Sequence, residues 1–200
     1  MRKILMLILA LALFATMAAV ADGGALQVVQ RVARYVKSLG AYEVSYLLTS
    51  GEYAAKGYFQ VEGDMYYMRV GGAEVYSDGK VRYEVDNERK EINIDNVSLD
   101  SHNILDNPTR CFDFVGSDYS IKSEAERGEN ITLSITPKNE EQVGTIRLVS
   151  DTKSGRPESL EYEMYDEKVK VRILGIGRSK EPMKRFRESD YGDYEIVDFR

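Results

Sequence analysis

The sequence has no tryptophan, one cysteine, one histidine and four prolines among 200 residues. Each scarcity removes a class of explanation. A lone cysteine, Cys111, excludes an intrachain disulfide, so stability has to come from core burial. It sits in TRCFDF between apolar residues, where a thiol is expected to be buried and inert. A lone histidine, His102, excludes a multi-histidine metal site. Residue count permits a Ser-His-Asp triad, but no nucleophile-elbow pattern accompanies it, and His102 reads as a loop histidine. The acidic turns at 86–91 and 166–167 lack calcium-loop spacing. The expectation is no enzyme, with no catalytic residue, no metal and no cofactor.

Positive charge is also short, with 27 Lys+Arg against 33 Asp+Glu and a net charge of −6. An acidic chain is a poor partner for nucleic acid or an anionic membrane. Long apolar runs are absent after residue 20. The one such run, 4–20, follows the basic start Met1-Arg2-Lys3 and precedes Ala19-Val20-Ala21 and Asp22. Those are the three parts of a secretory signal peptide, cleaved near Ala21/Asp22. A retained anchor is the rival reading, because the run approaches the roughly 20 residues that span a bilayer; the small-x-small site favours removal. No cysteine follows the run, so an N-terminal lipid anchor is not indicated. Residues 22–200 then form a single domain long enough for a sizeable core.

What the chain does have is alternation. Ala25 to Leu39 repeats Leu26, Val29, Val32, Ala33, Val36 and Leu39 at helical spacing, and Gly40 is placed to end that helix. Apolar residues then alternate with polar ones in short segments between glycine and acidic turns, most clearly from Gly57 to Ile94. Ser77-Asp78-Gly79-Lys80 is a hairpin turn. Gly57 inside its strand suggests a bulge or sharp bend. Leu99 to Phe114 lacks alternation and contains Asn107-Pro108, which predicts one or two short helical turns around 101–105 and 109–114. Alternation resumes at Ile131-Leu133-Ile135 and runs to a last strand at 194–199. About ten strands with short connections describe one large antiparallel sheet or barrel.

Fourteen tyrosines stand beside six phenylalanines. Tyrosine joins an apolar body to a polar tip. Two readings remain open on composition: cross-strand aromatic pairs that stabilise a sheet, or an apolar hollow with a hydrated rim.

The order of features resembles the LolA-like periplasmic outer-membrane lipoprotein carriers across nearly all of the mature chain. The residues that carry the resemblance are the strand YEVSYLLTS, the hairpin GYFQVEGDMYYMRV, the turn SDGK, and the later run from ITLSITPK to LEYEM. It implies an incomplete antiparallel β-barrel with an N-terminal helix and a mid-chain helical cover over an apolar hollow. It also implies a monomer that binds lipoprotein acyl chains, or another lipid, and delivers them towards the outer membrane. Its partners would be an inner-membrane releasing complex and an outer-membrane acceptor. On this reading the apolar strand faces line the hollow: Val44, Tyr46, Leu48, Phe59, Val61, Met65, Tyr67, Val81, Tyr83, Leu133, Ile146, Leu148, Tyr162 and Met164. Ile104, Leu105, Phe112 and Phe114 form the cover. One departure is local. Where such carriers have a basic residue and a proline after the meander's first strand, this chain has Glu62-Gly63-Asp64. A lipid-sensing or protein-docking module with the same fold is the alternative.

Overall fold

The structure is a computed structural model. It describes residues 23–116, 118–139, 144–164 and 167–200, with the side chain of Met164 outside that set. The signal-peptide residues and the turn at 166–167 fall partly or wholly outside the described residues.

A helix, α1, covers residues 23–38. Its buried face is Ala25, Val28, Val29, Val32 and Val36, whereas Leu26 is 39% exposed. The apolar stripe is thus rotated slightly from the expected one. Twelve strands follow: β1 Tyr42–Ser50, β2 Tyr53–Glu62, β3 Met65–Val70, β4 Ala73–Ser77, β5 Val81–Asp86, β6 Glu91–Asn96, β7 Tyr119–Arg127, β8 Asn130–Pro137, β9 Thr145–Asp151, β10 Pro157–Met164, β11 Glu167–Arg178 and β12 Glu195–Asp198. They form one open sheet in the order β12-β6-β5-β4-β3-β2-β1-β11-β10-β9-β8-β7. Every pairing is antiparallel except β12 with β6.

Two strands depart from expectation. β7 lacks apolar alternation because it is an edge strand whose residues are mostly exposed or half-buried, and charge on an edge discourages pairing with other chains. β12 is parallel because the chain crosses back over the sheet after β11 before it reaches β6. No bulge interrupts β2: Gly57 pairs in register with Tyr46. The glycine is needed because the Tyr46 ring lies across it, and a Cβ there would sit 2.1 Å from Tyr46 Cζ. The irregularity falls instead between β1 and β11, at Ser45/Tyr46.

The sheet has two differently used faces. The inner face packs on α1 and on the segment after β6 in one continuous core. That segment is built of single turns, such as Asn103 to Asn107 and Asn107 to Arg110, closed by backbone hydrogen bonds of 2.9 to 3.1 Å. Pro108 cannot donate a backbone hydrogen bond, so the turns do not join into a helix. The hairpin after β9 docks on α1: a Cβ at Gly155 would meet the Arg31 carbonyl carbon at 2.7 Å, and the Arg31 guanidinium donates to the Thr152 carbonyl.

The outer face is charged over β7–β11, where Arg147 lies 3.0 to 3.2 Å from Glu124, Glu161 and Glu163. Over β2–β6 it is aromatic and is crossed by the segment 179–194. Phe186 lies between Tyr83 and Tyr191, with centroid distances of 4.2 and 5.5 Å. Lys184 Nζ sits 4.7 Å from the centre of the Tyr67 ring.

Candidate functional site

Period-two alternation decides which face each strand residue meets. Nine of the expected lining residues lie in the inner core: Val44, Tyr46, Leu48, Phe59, Val61, Leu133, Ile146, Leu148 and Tyr162. Ile104, Phe112 and Phe114 of the cover share that core, and Leu105 packs against it. Tyr67, Val81 and Tyr83 do not belong there. They lie on the outer face with Tyr76, Val85, Ile92 and Ile94, under Met183, Phe186, Tyr191 and Tyr194. Met65 has the same parity as Tyr67, and its sulfur lies 3.3 Å from Arg185. The inner positions of β3 and β4 are Tyr66, Met68 and Val75. The slip has a physical cause. In MYYMRV both parities are apolar because both faces are covered, and in VRYEVD the charged Arg82 and Glu84 take the inner parity while Val81 and Tyr83 lie under the segment 179–194, so alternation does not say which face is inner.

The cover is tied to the sheet by tyrosine hydroxyls. Tyr162 Oη accepts from the Ile104 backbone N–H at 3.1 Å and donates to the His102 carbonyl at 3.3 Å. Tyr66 Oη donates to the Asp106 carbonyl at 3.1 Å. Burial pushes the Tyr66 phenol up to about 12, so both hydroxyls stay neutral donors. Asn107 is buried and donates to the Ser98 carbonyl at 3.1 Å. Cys111 is fully buried and burial pushes its thiol well up, as expected for an inert sulfur.

His102 is a structural part of the cover. Its ring stacks near Phe114, with centroids 5.2 Å apart. An Arg110 guanidinium nitrogen lies 3.3 Å from Nε2. Arginine can only donate, so Nε2 accepts and the proton resides on Nδ1. Nδ1 faces the Asp100 carbonyl at 3.2 Å and Tyr119 Oη at 2.7 Å. Burial, then the Arg110 charge, lowers the His102 pKa. No metal-holding group of three or more His, Cys, Asp or Glu occurs among the described residues.

Cavities flank the cover among the described residues, and two of them have a partly apolar lining. One of about 340 Å³ opens beside His102, Tyr119, Ile146 and Tyr162, with Asp100, Ser101 and Asp106 on its rim. The other, of about 860 Å³, lies between the last turns of α1, the starts of β1 and the β2–β3 turn, and the cover. Its apolar lining includes Val36, Tyr42, Val61 and Phe112, and its polar lining includes Gln30, Arg34, Lys37, Thr109 and Asp113. That size lies within the range of roughly 300–1,000 Å³ typical of small-molecule sites. Only Val61 and Phe112 of the expected residues border it. The α1 contribution was legible in the helical spacing of Ala33 and Val36, but not that this end of the helix would face a cavity.

No family model matches the sequence, and no curated protein matches it. Solved structures match in fold. An uncharacterized conserved protein from Thermus thermophilus superposes with a TM-score of 0.53 at 9% identity, over 84% of this chain and 98% of that one. A DUF1329 family protein from Desulfovibrio piger gives 0.49 at 9% identity, over 86% and 99%. A LolA superfamily protein from Nitrosomonas europaea gives 0.43 at 9% identity, over 84% and 96%. The likeness is one of fold alone, and the Thermus protein carries it. The architecture itself, an open curved antiparallel sheet holding an N-terminal helix and a mid-chain cover on one face, is the one the motif order implies. Its sheet is open, with β7 and β12 at opposite edges.

Proposed function

We propose that this chain is a periplasmic carrier that holds an acyl chain against the inner face of its sheet and delivers it towards the outer membrane. The observation that carries the reading is the cavity between α1 and the cover. It has an apolar floor, opens at the surface, and borders a core whose lid is a loop of single turns. Burial of an acyl chain there would contribute about 0.8 kcal/mol per methylene. The cover is held by a few hydroxyl and amide hydrogen bonds, each worth about 1 kcal/mol net, and by burial of Ile104, Phe112 and Phe114, each worth roughly 1.5–3 kcal/mol; an acyl chain that takes the place of those side chains would offset the cost of opening. That suits a protein which must hold a chain firmly and still give it up. Binding rather than catalysis is the role. A cleaved signal peptide at 1–21 would place residues 22–200 in the periplasm as a single domain, with a releasing complex and an acceptor as transient partners.

A second reading has its own support. α1 and the cover already fill most of the inner face, with Val29, Val32, Ile104 and Cys111 fully buried. A filled interior favours a lipid-sensing or protein-docking module over a transporter.

Gentle purification of the secreted protein, organic extraction and mass spectrometry separate the two. Copurifying acyl lipid, together with displacement of a neutral apolar dye by acyl ligands, is expected of a carrier. Absence of both results removes the carrier reading.

A further inference from the structure

This inference rests on the acyl-binding reading and concerns the head of the ligand. The cavity between α1 and the cover has a divided lining. Val36, Tyr42, Val61 and Phe112 are buried and apolar. The charged groups are Arg34 and Lys37 from the end of α1 and Asp113 from the cover. Asp113 already faces a cation, with Arg110 Nε 3.9 Å away. Arg34 and Lys37 are exposed and make no ion pair or side-chain hydrogen bond among the described residues. Both border the same cavity.

Cations near a helix C-terminus ordinarily serve the terminal carbonyls and the helix dipole. That task is filled without these two. The carbonyls of Tyr35, Val36, Lys37 and Ser38 accept from Ser38 Oγ at 2.7 Å, Leu39 N at 3.0 Å, Gly40 N at 3.2 Å and the Arg178 guanidinium at 3.3 Å. Residues three apart on a helix share a face, so Arg34 and Lys37 stand together above the apolar floor. Glu62 and Asp64 flank Gly63 across the cavity, but neither lines it.

We infer that Arg34 and Lys37 bind the anionic head, a carboxylate or phosphate, of an acyl amphiphile whose chain lies over Val36, Tyr42, Val61 and Phe112. Helix α1 is thus a recognition element as well as a core element. The apolar floor sets the requirement for a chain, and the paired cations set the charge of what the chain carries. Charge-assisted hydrogen bonds at a partly desolvated mouth give a preference of roughly tenfold or more over a neutral head. The preference shrinks as salt rises, because the cations are exposed.

The test is displacement of N-phenyl-1-naphthylamine, a neutral apolar dye, from the full mature chain. The competitors are palmitate, monopalmitoyl phosphatidylglycerol, monopalmitoylglycerol and hexadecyltrimethylammonium, which share one chain length. At low salt at least one of the two anionic competitors should displace the dye roughly tenfold better than the neutral one, and the cationic one worse. Which anionic competitor prevails distinguishes a fatty-acid carboxylate from a phospholipid phosphate. Inorganic phosphate alone, without a chain, should not displace the dye.

In the double variant Arg34→Gln/Lys37→Gln the anionic advantage should disappear while monopalmitoylglycerol binds as before. The exchange variant Arg34→Lys/Lys37→Arg should retain it. Equal displacement by anionic, neutral and cationic competitors in the unmodified chain overturns the head-group inference and leaves acyl binding standing. Selectivity that survives in the double variant overturns the assignment to these residues. Failure of every competitor removes the acyl reading as well.

Discussion

The ring of Phe186 stacks on that of Tyr83, with centroids 4.2 Å apart and planes 8° from parallel. The contact joins the segment after β11 to the outer face of β5 and turns a charged stretch of sequence into a strap. Around it, Tyr76 and Tyr191 share a hydrogen bond at 3.0 Å between their hydroxyls, and Tyr194 donates to Asn87 at 3.0 Å. Replacement of Phe186 by Ala should release the strap locally and cost about 1–2 kcal/mol, below the 3–5 typical of a fully buried Phe, since Phe186 is half-buried. Limited tryptic digestion should then cut at Lys184, Arg185 or Arg187 sooner than in the unmodified protein.

Tyr83 and Tyr67 lie on the outer face, away from the cavity. Tyr83→Ala should lower the midpoint of urea unfolding and leave dye and acyl binding unchanged. Phe112→Ala, in the cavity wall, should weaken acyl binding several-fold. A loss of acyl affinity in Tyr83→Ala comparable to that in Phe112→Ala would refute this division of the two faces.

Gly57 lies beneath the Tyr46 ring, where a methyl group would come within 2.1 Å of Cζ. Gly57→Ala forces the ring out of the fully buried inner core, an overpacking cost of about 1–3 kcal/mol or more. In a Tyr46→Leu background the same change should cost less, so a double-mutant cycle in chemical denaturation should show clear coupling between the two sites.

Tyr162→Phe removes the acceptor for the Ile104 N–H. A buried donor left unpaired costs about 1–3 kcal/mol. The cover should open more often, which hydrogen exchange at the Ile104 and Asn103 amides would register as faster than in the unmodified protein. Faster uptake of the apolar dye should accompany it if the cover gates the cavity.

His102 predicts a pH dependence. Its folded-state pKa is lowered by burial and by Arg110, from an ordinary value of about 6.5. The unfolded chain therefore binds the proton more readily than the folded one. Stability is fully present above about pH 6.5 and declines as pH falls through that value, until the folded-state pKa is passed. Thermal melts between pH 8 and 5 should show this decline, and His102→Asn should flatten the part of it that begins near pH 6.5.

Much of the fold was legible because strand alternation and turn chemistry are local. The turn at Asp78 closes as expected, with its carboxylate accepting from the N–H groups of Lys80 and Val81 at 2.9 Å. Strand parity was legible in β10, where the charged face meets solvent. Glu161 and Glu163 beside Leu160 and Tyr162 in β10 leave no doubt which residues face inward. It failed in β3, where a second apolar layer covers the outer face and the alternation loses its polar member, and in β5, where the same layer covers Val81 and Tyr83 while the charged Arg82 and Glu84 take the inner parity. β7 escaped notice because an edge strand needs few apolar residues. The site was less legible than the fold: its wall combines residues from 30 to 115, and no local pattern records which of them meet.

The sequence by itself determined the materials: a helix with one apolar side, a succession of hairpins, a connection broken by Pro108 into short turns, and a shortage of histidine and cysteine. These follow from nearest-neighbour periodicity and backbone chemistry. Tertiary structure alone decided which sheet face receives the helix, that residues 179–194 return to cover the other face, and that Arg34 and Lys37 stand unpaired beside an apolar cavity. Those outcomes depend on contacts between residues far apart in the chain, whose closure sums many small burial energies that no short stretch contains.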